Sequence, residues 1–198
     1  ILIGNGDGTF RTSTDFWAGA LASGLVAADF NRDGTIDLAV AAFGSDSVSI
    51  LLNDGTGLFA EPLEYGVGTS PYGVTAGDFN GDGLFDLAVP NYYSDDVSIL
   101  LGNGDGTFTI GLTFTVGSEP YAPITGDFNN DGKLDLAIGN YRSNDVSILL
   151  GSGAGMFAIQ APLAAGIGTS SIDSADFNDD GRLDLVTANL GDATLSLF

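Results

Sequence analysis

One nine-residue block recurs four times at a fixed step. "DFNRDGTID" begins at Asp29, "DFNGDGLFD" at Asp78, "DFNNDGKLD" at Asp127 and "DFNDDGRLD" at Asp176, so successive copies start 49 residues apart. A second landmark keeps the same step: Phe10, Phe59, Phe108 and Phe157 close the glycine-rich stretches "GNGDGTF", "NDGTGLF", "GNGDGTF" and "GSGAGMF". Repetition at this period marks an architecture of stacked supersecondary units, because a unit of about 40–50 residues cannot bury its apolar face alone. The chain is therefore read as one small unit used four times.

Each unit reads as four short strands. In the unit around the second block they fall near residues 72–77, 85–89, 97–101 and 108–116. The runs are rich in Val, Ile, Leu and Phe and are bounded by turn residues. No stretch of ten or more residues free of glycine carries an apolar period of 3.6, which argues against helices. The expectation is an all-β chain, a β-propeller of four-stranded antiparallel blades in four 49-residue repeats. A stacked solenoid is the competing arrangement. Residues 1–198 form a single propeller domain or a propeller fragment, with the acidic loops starting at 29, 78, 127 and 176. Ile1–Ile3 aligns with a third strand, and so does the terminal "TLSLF". Two outcomes follow. Residues 10–17 complete the last blade and close a four-bladed ring, or the ring is larger or pairs with a second copy. Open edges would then favour self-association.

The recurring block supplies oxygen donors at relative positions one, three, five and nine, and a glycine at six permits a sharp reversal. Calcium takes six to eight oxygens. The expected ligands are Asp29, Asn31, Asp33, Asp37 and the Thr35 carbonyl in the first loop. In the second they are Asp78, Asn80, Asp82, Asp86 and the Leu84 carbonyl. The third offers Asp127, Asn129, Asp131, Asp135 and the Lys133 carbonyl, and the fourth Asp176, Asn178, Asp180, Asp184 and the Arg182 carbonyl. About four Ca²⁺ ions, one per repeat, are expected, in a structural role. Magnesium prefers tighter and wetter sites. Zinc would want nitrogen or sulfur, and the chain has no histidine and no cysteine. An EF-hand is excluded, since its twelfth position holds Val40, Val89, Ile138 and Thr187 rather than glutamate. The plain alternative, an Asx turn, suits any single copy; four copies with every ligand position kept weigh against it.

These residues carry a resemblance. "DFNxDGxxDL" followed by "VSILLGNGDGTF" resembles the FG-GAP/VCBS-type repeat, related to the blades of integrin α-subunit propellers, over essentially the whole chain. The resemblance implies that the aspartate-rich loop joins the first and second strands of a blade and binds calcium. It implies a secreted or cell-surface protein, often part of a larger adhesin or enzyme. It also implies protein ligands on the face opposite the metal loops. A ring of more blades is usual there, so four loops are a departure.

Composition narrows the function. The formal charge of −21 argues against nucleic acid and anionic membrane surfaces, and four bound calcium ions would still leave it at −13. No apolar run is long enough to span a bilayer. Absence of histidine and cysteine removes the common bases and nucleophiles. The expectation is a calcium-stabilised scaffold or binding module that mediates protein–protein or adhesion-type contacts without catalysis. The alternatives are a lectin-like propeller that binds glycans and a non-catalytic region of a larger secreted enzyme. Phe43, Tyr72, Tyr92, Tyr93, Glu119, Tyr121, Tyr141 and Arg142 are the candidates for the opposite face.

Overall fold

A computed structural model describes all 198 residues and contains strands but no helix. No helix is therefore long and apolar enough to cross a membrane. The first blade has β1 (Ala22–Ala28), β2 (Asp37–Ala42), β3 (Ser47–Leu51) and β4 (Leu63–Gly66), paired in that order. The second has β5 (Thr75–Gly77), β6 (Asp86–Asn91), β7 (Asp96–Gly102) and β8 (Phe108–Thr115). The third runs β9 (Pro120–Gly126), β10 (Asp135–Asn140), β11 (Asp145–Gly151) and an outer strand split into β12 (Phe157–Ile159) and β13 (Leu163–Ala164). The split falls at Pro162, which has no N–H for the ladder. The fourth has β14 (Thr169–Ala175), β15 (Asp184–Asn189) and β16 (Thr194–Leu197). All pairings are antiparallel, and the register repeats with the sequence: Leu38 opposes Leu51, Leu87 opposes Leu100 and Leu136 opposes Leu149.

The second strand of each blade is covered on both faces, and its composition follows from that. Leu87 and Val89 of β6 point back at blade one, into a cluster with Ala39, Ala41, Val48 and Ile50. Ala88 points forward, with Val97 and Ile99 of β7, against Leu136 and Ile138 of β10 and Leu149 of β11. Alanines on one blade thus meet larger side chains of its neighbour in each cluster, which lets the blades approach closely. Ala137, Val146 and Ile148 meet Ile172 and Leu185 in the same way at the next joint. The inner strands come closer still. A Cβ on Gly73 would sit 2.8 Å from the Tyr121 carbonyl oxygen and 2.6 Å from Pro123 Cδ.

The two ends of the arc are not joined. Residues 1–14 form an irregular hairpin, with a bridge from Gly4 to Phe10, a bond from Arg11 N to Ile3 O (2.8 Å) and one from Thr14 N to Ile1 O (3.0 Å). This segment lies beside blade one, where Phe16 packs edge-on against Phe59 at 5.3 Å. Residues 10–17 do not complete the last blade as expected for a closed four-bladed ring; the outer edge of β16 is unpaired. Leu195 and Leu197 occupy the positions of Val146 and Ile148 in the third blade, yet are 73% and 64% exposed. Trp17 is exposed.

Candidate metal centres and the opposite face

The four acidic loops fold alike, and each joins the first and second strands of its blade. In the first, Asp29 accepts the N–H groups of Asp33 (3.2 Å) and Gly34 (3.0 Å), Asn31 Oδ1 accepts Asp33 N (2.9 Å), and Asp33 Oδ1 accepts Thr35 N (2.7 Å). The second loop repeats this with Asp78, Asn80 and Asp82, the third with Asp127, Asn129 and Asp131, and the fourth with Asp176, Asn178 and Asp180. The turn needs two residues in left-handed conformation. Position six is glycine in every copy, with φ of 87°, 79°, 81° and 83°; position four is Arg32, Gly81, Asn130 and Asp179.

The ninth-position aspartate anchors the loop to the sheet. Asp86 is buried; Oδ2 accepts Phe79 N (2.9 Å) and Oδ1 accepts Gly102 N (2.8 Å). Asp37 and Asp135 do the same with Phe30 and Asn53, and with Phe128 and Gly151. Burial pushes these three carboxyls above the ordinary carboxylate value; the N–H bonds oppose it, and the two other aspartates of the same loop add to the rise.

In this geometry the carboxylates serve the backbone, and no three of them converge on one point. The donor set nevertheless fits calcium: oxygen only, three carboxylates and one amide per loop, with a carbonyl at position seven. Asp7 and Asp105 in the glycine-rich turns have another job. Each accepts the N–H of the threonine two residues on, and the hydroxyl of that threonine is the main influence holding its carboxyl below the usual value.

The first two loops are also part of joints between blades. The Phe30 carbonyl accepts Gly106 N of blade two (3.2 Å), and the Phe79 carbonyl accepts Gly155 N of blade three (2.9 Å). The Phe30 ring meets Phe108 at 5.5 Å, and Phe79 meets Phe157 at 5.5 Å. The phenylalanine after the first aspartate thus acts as a wedge between these blades. The fourth copy is an exception, since Phe177 is 53% exposed.

The other face carries a second recurring device that sequence reasoning missed. Asp46 Oδ1 accepts Ser70 N (2.7 Å), Asp95 Oδ1 accepts Glu119 N (2.9 Å) and Asn144 Oδ1 accepts Gly168 N (2.8 Å). Each bond runs from one blade to the next. The signal was available: these acceptors stand 49 residues apart, in "SDS", "SDD" and "SND". The series stops at Ala193, which keeps the left-handed backbone but has no acceptor.

All eight candidates of the opposite face lie together. Phe43, Tyr92 and Tyr93 form a triangle with ring separations of 6.1, 5.9 and 4.9 Å. Tyr72 and Tyr121 stack at 3.9 Å with their hydroxyls bonded, and Tyr141 follows at 6.2 Å from Tyr121. Tyr92 Oη donates to Glu119 Oε2 (2.7 Å), and Arg142 Nη1 lies 3.3 Å from Glu119 Oε1. Burial, then Glu119, pushes the Tyr92 hydroxyl well above its usual value; burial and the Tyr72 hydroxyl push Tyr121 up to about 12. Tyr92, Tyr93, Asp95, Ser118, Glu119 and Arg142 line a cleft of about 370 Å³.

An all-β arc of antiparallel blades with one acidic loop per blade defines a repeat propeller. The FG-GAP-like repeat matches residues 29–89, 86–138 and 127–187, and the chain belongs to that family. No curated protein matches the chain in sequence. Among solved structures, a candidate 6-phosphogluconolactonase of Bacteroides uniformis is similar over 99% of this chain and 59% of its own, with TM-score 0.75 and 16% identity. BBS1N, solved in complex with ARL6DN, is similar over 91% of this chain and 56% of its own, with TM-score 0.67 and 18% identity. The Vibrio cholerae (V. cholerae) biofilm matrix protein Bap1 is similar over 88% of this chain and 26% of its own, with TM-score 0.57 and 17% identity. The chain thus spans little more than half the length of the first two. At these identities the likeness is one of fold, and it reaches a candidate enzyme and a protein-binding propeller alike.

Proposed function

We propose that this chain is a calcium-stabilised propeller scaffold that binds a protein partner through its tyrosine-rich face and performs no catalysis itself. The observation that carries the reading is the continuous set of six rings, Phe43, Tyr72, Tyr92, Tyr93, Tyr121 and Tyr141, with Glu119 and Arg142 between them. Tyrosine and arginine are the side chains that most often anchor interfaces. Calcium in the opposite loops would relieve carboxylate repulsion only in the folded state, and so stabilise the fold that presents this face. The ligands would be the twenty residues named from the sequence. That BBS1N, similar in fold, was solved in complex with ARL6DN supports this reading.

A secreted or cell-surface location agrees with the acidic surface and with loops suited to abundant extracellular calcium. Self-association is a further part of the reading. Leu195 and Leu197 on one end, and Leu25 on the other, expose positions that are buried at the internal joints. A monodisperse monomer in light scattering at about 100 µM would remove it.

The test of the binding reading is a screen against a panel of purified extracellular proteins, with the wild type and the variant Y93A/R142E immobilised side by side. Binding that needs calcium and is lost in the variant supports it; binding retained equally by both refutes it. A glycan reading has one observation in its favour, the exposed Tyr93 ring beside Asp95, Glu119 and Arg142. A polysaccharide array probed with the same two chains decides between the two.

A further inference from the structure

The chain has five lysines and arginines against 26 acids, and three of the five, Arg32, Lys133 and Arg182, lie inside the nine-residue loops. A chain this acidic has placed most of its cations where a cation is expected to bind. Arg32 stands at position four of the first loop with φ of 60°, and its Nη2 donates to the carbonyl of Gly83 (2.7 Å) at position six of the second loop. Lys133 stands at position seven of the third loop with Nζ 3.7 Å from Asp131 Oδ2. Arg182 stands at position seven of the fourth, and its backbone N–H bonds Asp180 (2.9 Å). The second loop has Gly81 and Leu84 at these positions and shares the charge of Arg32.

Surface pairing does not account for this placement. The Lys133 and Asp131 side chains are 44% and 37% exposed, and such pairs add little stability. The charge acts on the loop instead. Without metal it offsets the repulsion among three or four aspartates; with metal it repels the dication.

We propose that Arg32, Lys133 and Arg182 are resident counter-charges that keep the metal-free loops folded and raise the calcium concentration at which those loops fill. The proposal rests on the calcium reading above. At a separation of about 6–8 Å in a water-like dielectric, one unit charge shifts affinity for a dication by about three- to sevenfold in dilute salt.

The experiment uses the full 198-residue chain and residues borrowed from its own sister loops. R32N takes the asparagine of position four in the third loop, which tolerates left-handed backbone; K133L and R182L take the leucine of position seven in the second. Calcium is titrated calorimetrically into R32N/K133L/R182L, into R32K/K133R/R182K and into wild type, at about 0.05 M and 1 M KCl. The neutral variant is expected to fill at about three- to sevenfold lower calcium in dilute salt. The charge-conserving variant should match wild type, and the difference should shrink at high salt. In chelator the neutral variant should melt at a lower temperature. If it does not fold in chelator, the single variants R32N and K133L carry the calcium titration. An isotherm unchanged in the neutral variants, or shifted equally in the charge-conserving one, overturns the proposal. Absence of binding in every chain overturns the calcium reading itself and this proposal with it, a result distinct from binding that ignores the substitutions.

Discussion

The phenylalanine wedge allows the joint to be weighed inside one molecule. Phe30, Phe79, Phe128 and Phe177 follow the first aspartate of their loops, and their surroundings differ. Phe79 is 1% exposed and packed on Phe157, whereas Phe177 is 53% exposed. Phe79→Ala removes a ring from a closed interface and leaves a cavity, a loss of about 3–5 kcal/mol. Phe177→Ala removes a ring that is mostly in water, which costs under about 1 kcal/mol. In a domain of this size the first loss lowers the melting temperature by roughly 6–20 °C. The assay is urea unfolding followed by circular dichroism, repeated with chelator in excess. Phe30→Ala should behave like Phe79→Ala, and Phe128→Ala should fall between the extremes. The ranking should persist in chelator, because the rings act on the neighbouring blade and not on the ion. Equal losses at all four positions, or losses that vanish in chelator, would refute the reasoning and make the phenylalanine a part of the metal site alone.

Asp86→Asn should cost about 2–3 kcal/mol, since it sets an amide against the Phe79 and Gly102 N–H groups; a smaller loss than that of Asp184→Asn in the same unfolding assay would contradict this. The pH response should change sign with metal. Asp37, Asp86 and Asp135 have folded pKa values above the unfolded one, so in chelator their contribution is full below the ordinary carboxylate range and is lost as pH rises through the folded values. Calcium, once bound, would favour the ionised form and reverse the slope, which melting curves from about pH 3 to pH 7.5, with and without chelator, would show. Gly73→Ala drives a methyl group at the Tyr121 carbonyl and should destabilise by about 1–3 kcal/mol, whereas Gly66→Ala, with open space around it, should be neutral or stabilising in thermal melts. Tyr72→Phe should lower the Tyr121 pKa from about 12 toward the usual phenol value, read by absorbance titration.

Much of the fold was legible because the repeat multiplies weak signals. Short apolar runs such as "DLAV" and "VSILL" are ambiguous singly, but their common distance from "DFNxDG" fixed both strand order and loop placement. The opposite face was legible for a related reason. Phe43, Tyr92 and Tyr141 hold one repeat position and Tyr72 and Tyr121 another, so antiparallel connectivity brings them to one side. What was not legible depends on neighbours in space. Nothing local distinguishes Phe177 from Phe79; only the packing of the following blade does. Residues 10–17 look strand-like, yet lie beside blade one with their hairpin rather than along β16. The Asp46, Asp95 and Asn144 acceptors looked like ordinary turn residues, since their partners lie 24 residues on, across a joint.

The bond from Gly106 N to the Phe30 carbonyl, and its copy from Gly155 to Phe79, bear on how such a chain can change length. At the seams between blades one and two and between blades two and three, half of the contact is carried by the loop of one blade and half by the turn of the next, 76 residues downstream. The block that can be copied is therefore any stretch of 49 residues, wherever it is cut, because each phase restores one complete seam. A gain or loss of any other length leaves a carbonyl and a ring facing a partner that is out of step. Rings built this way grow and shrink in whole blades, and the count of blades becomes a quantity that recombination can alter without redesigning a single contact.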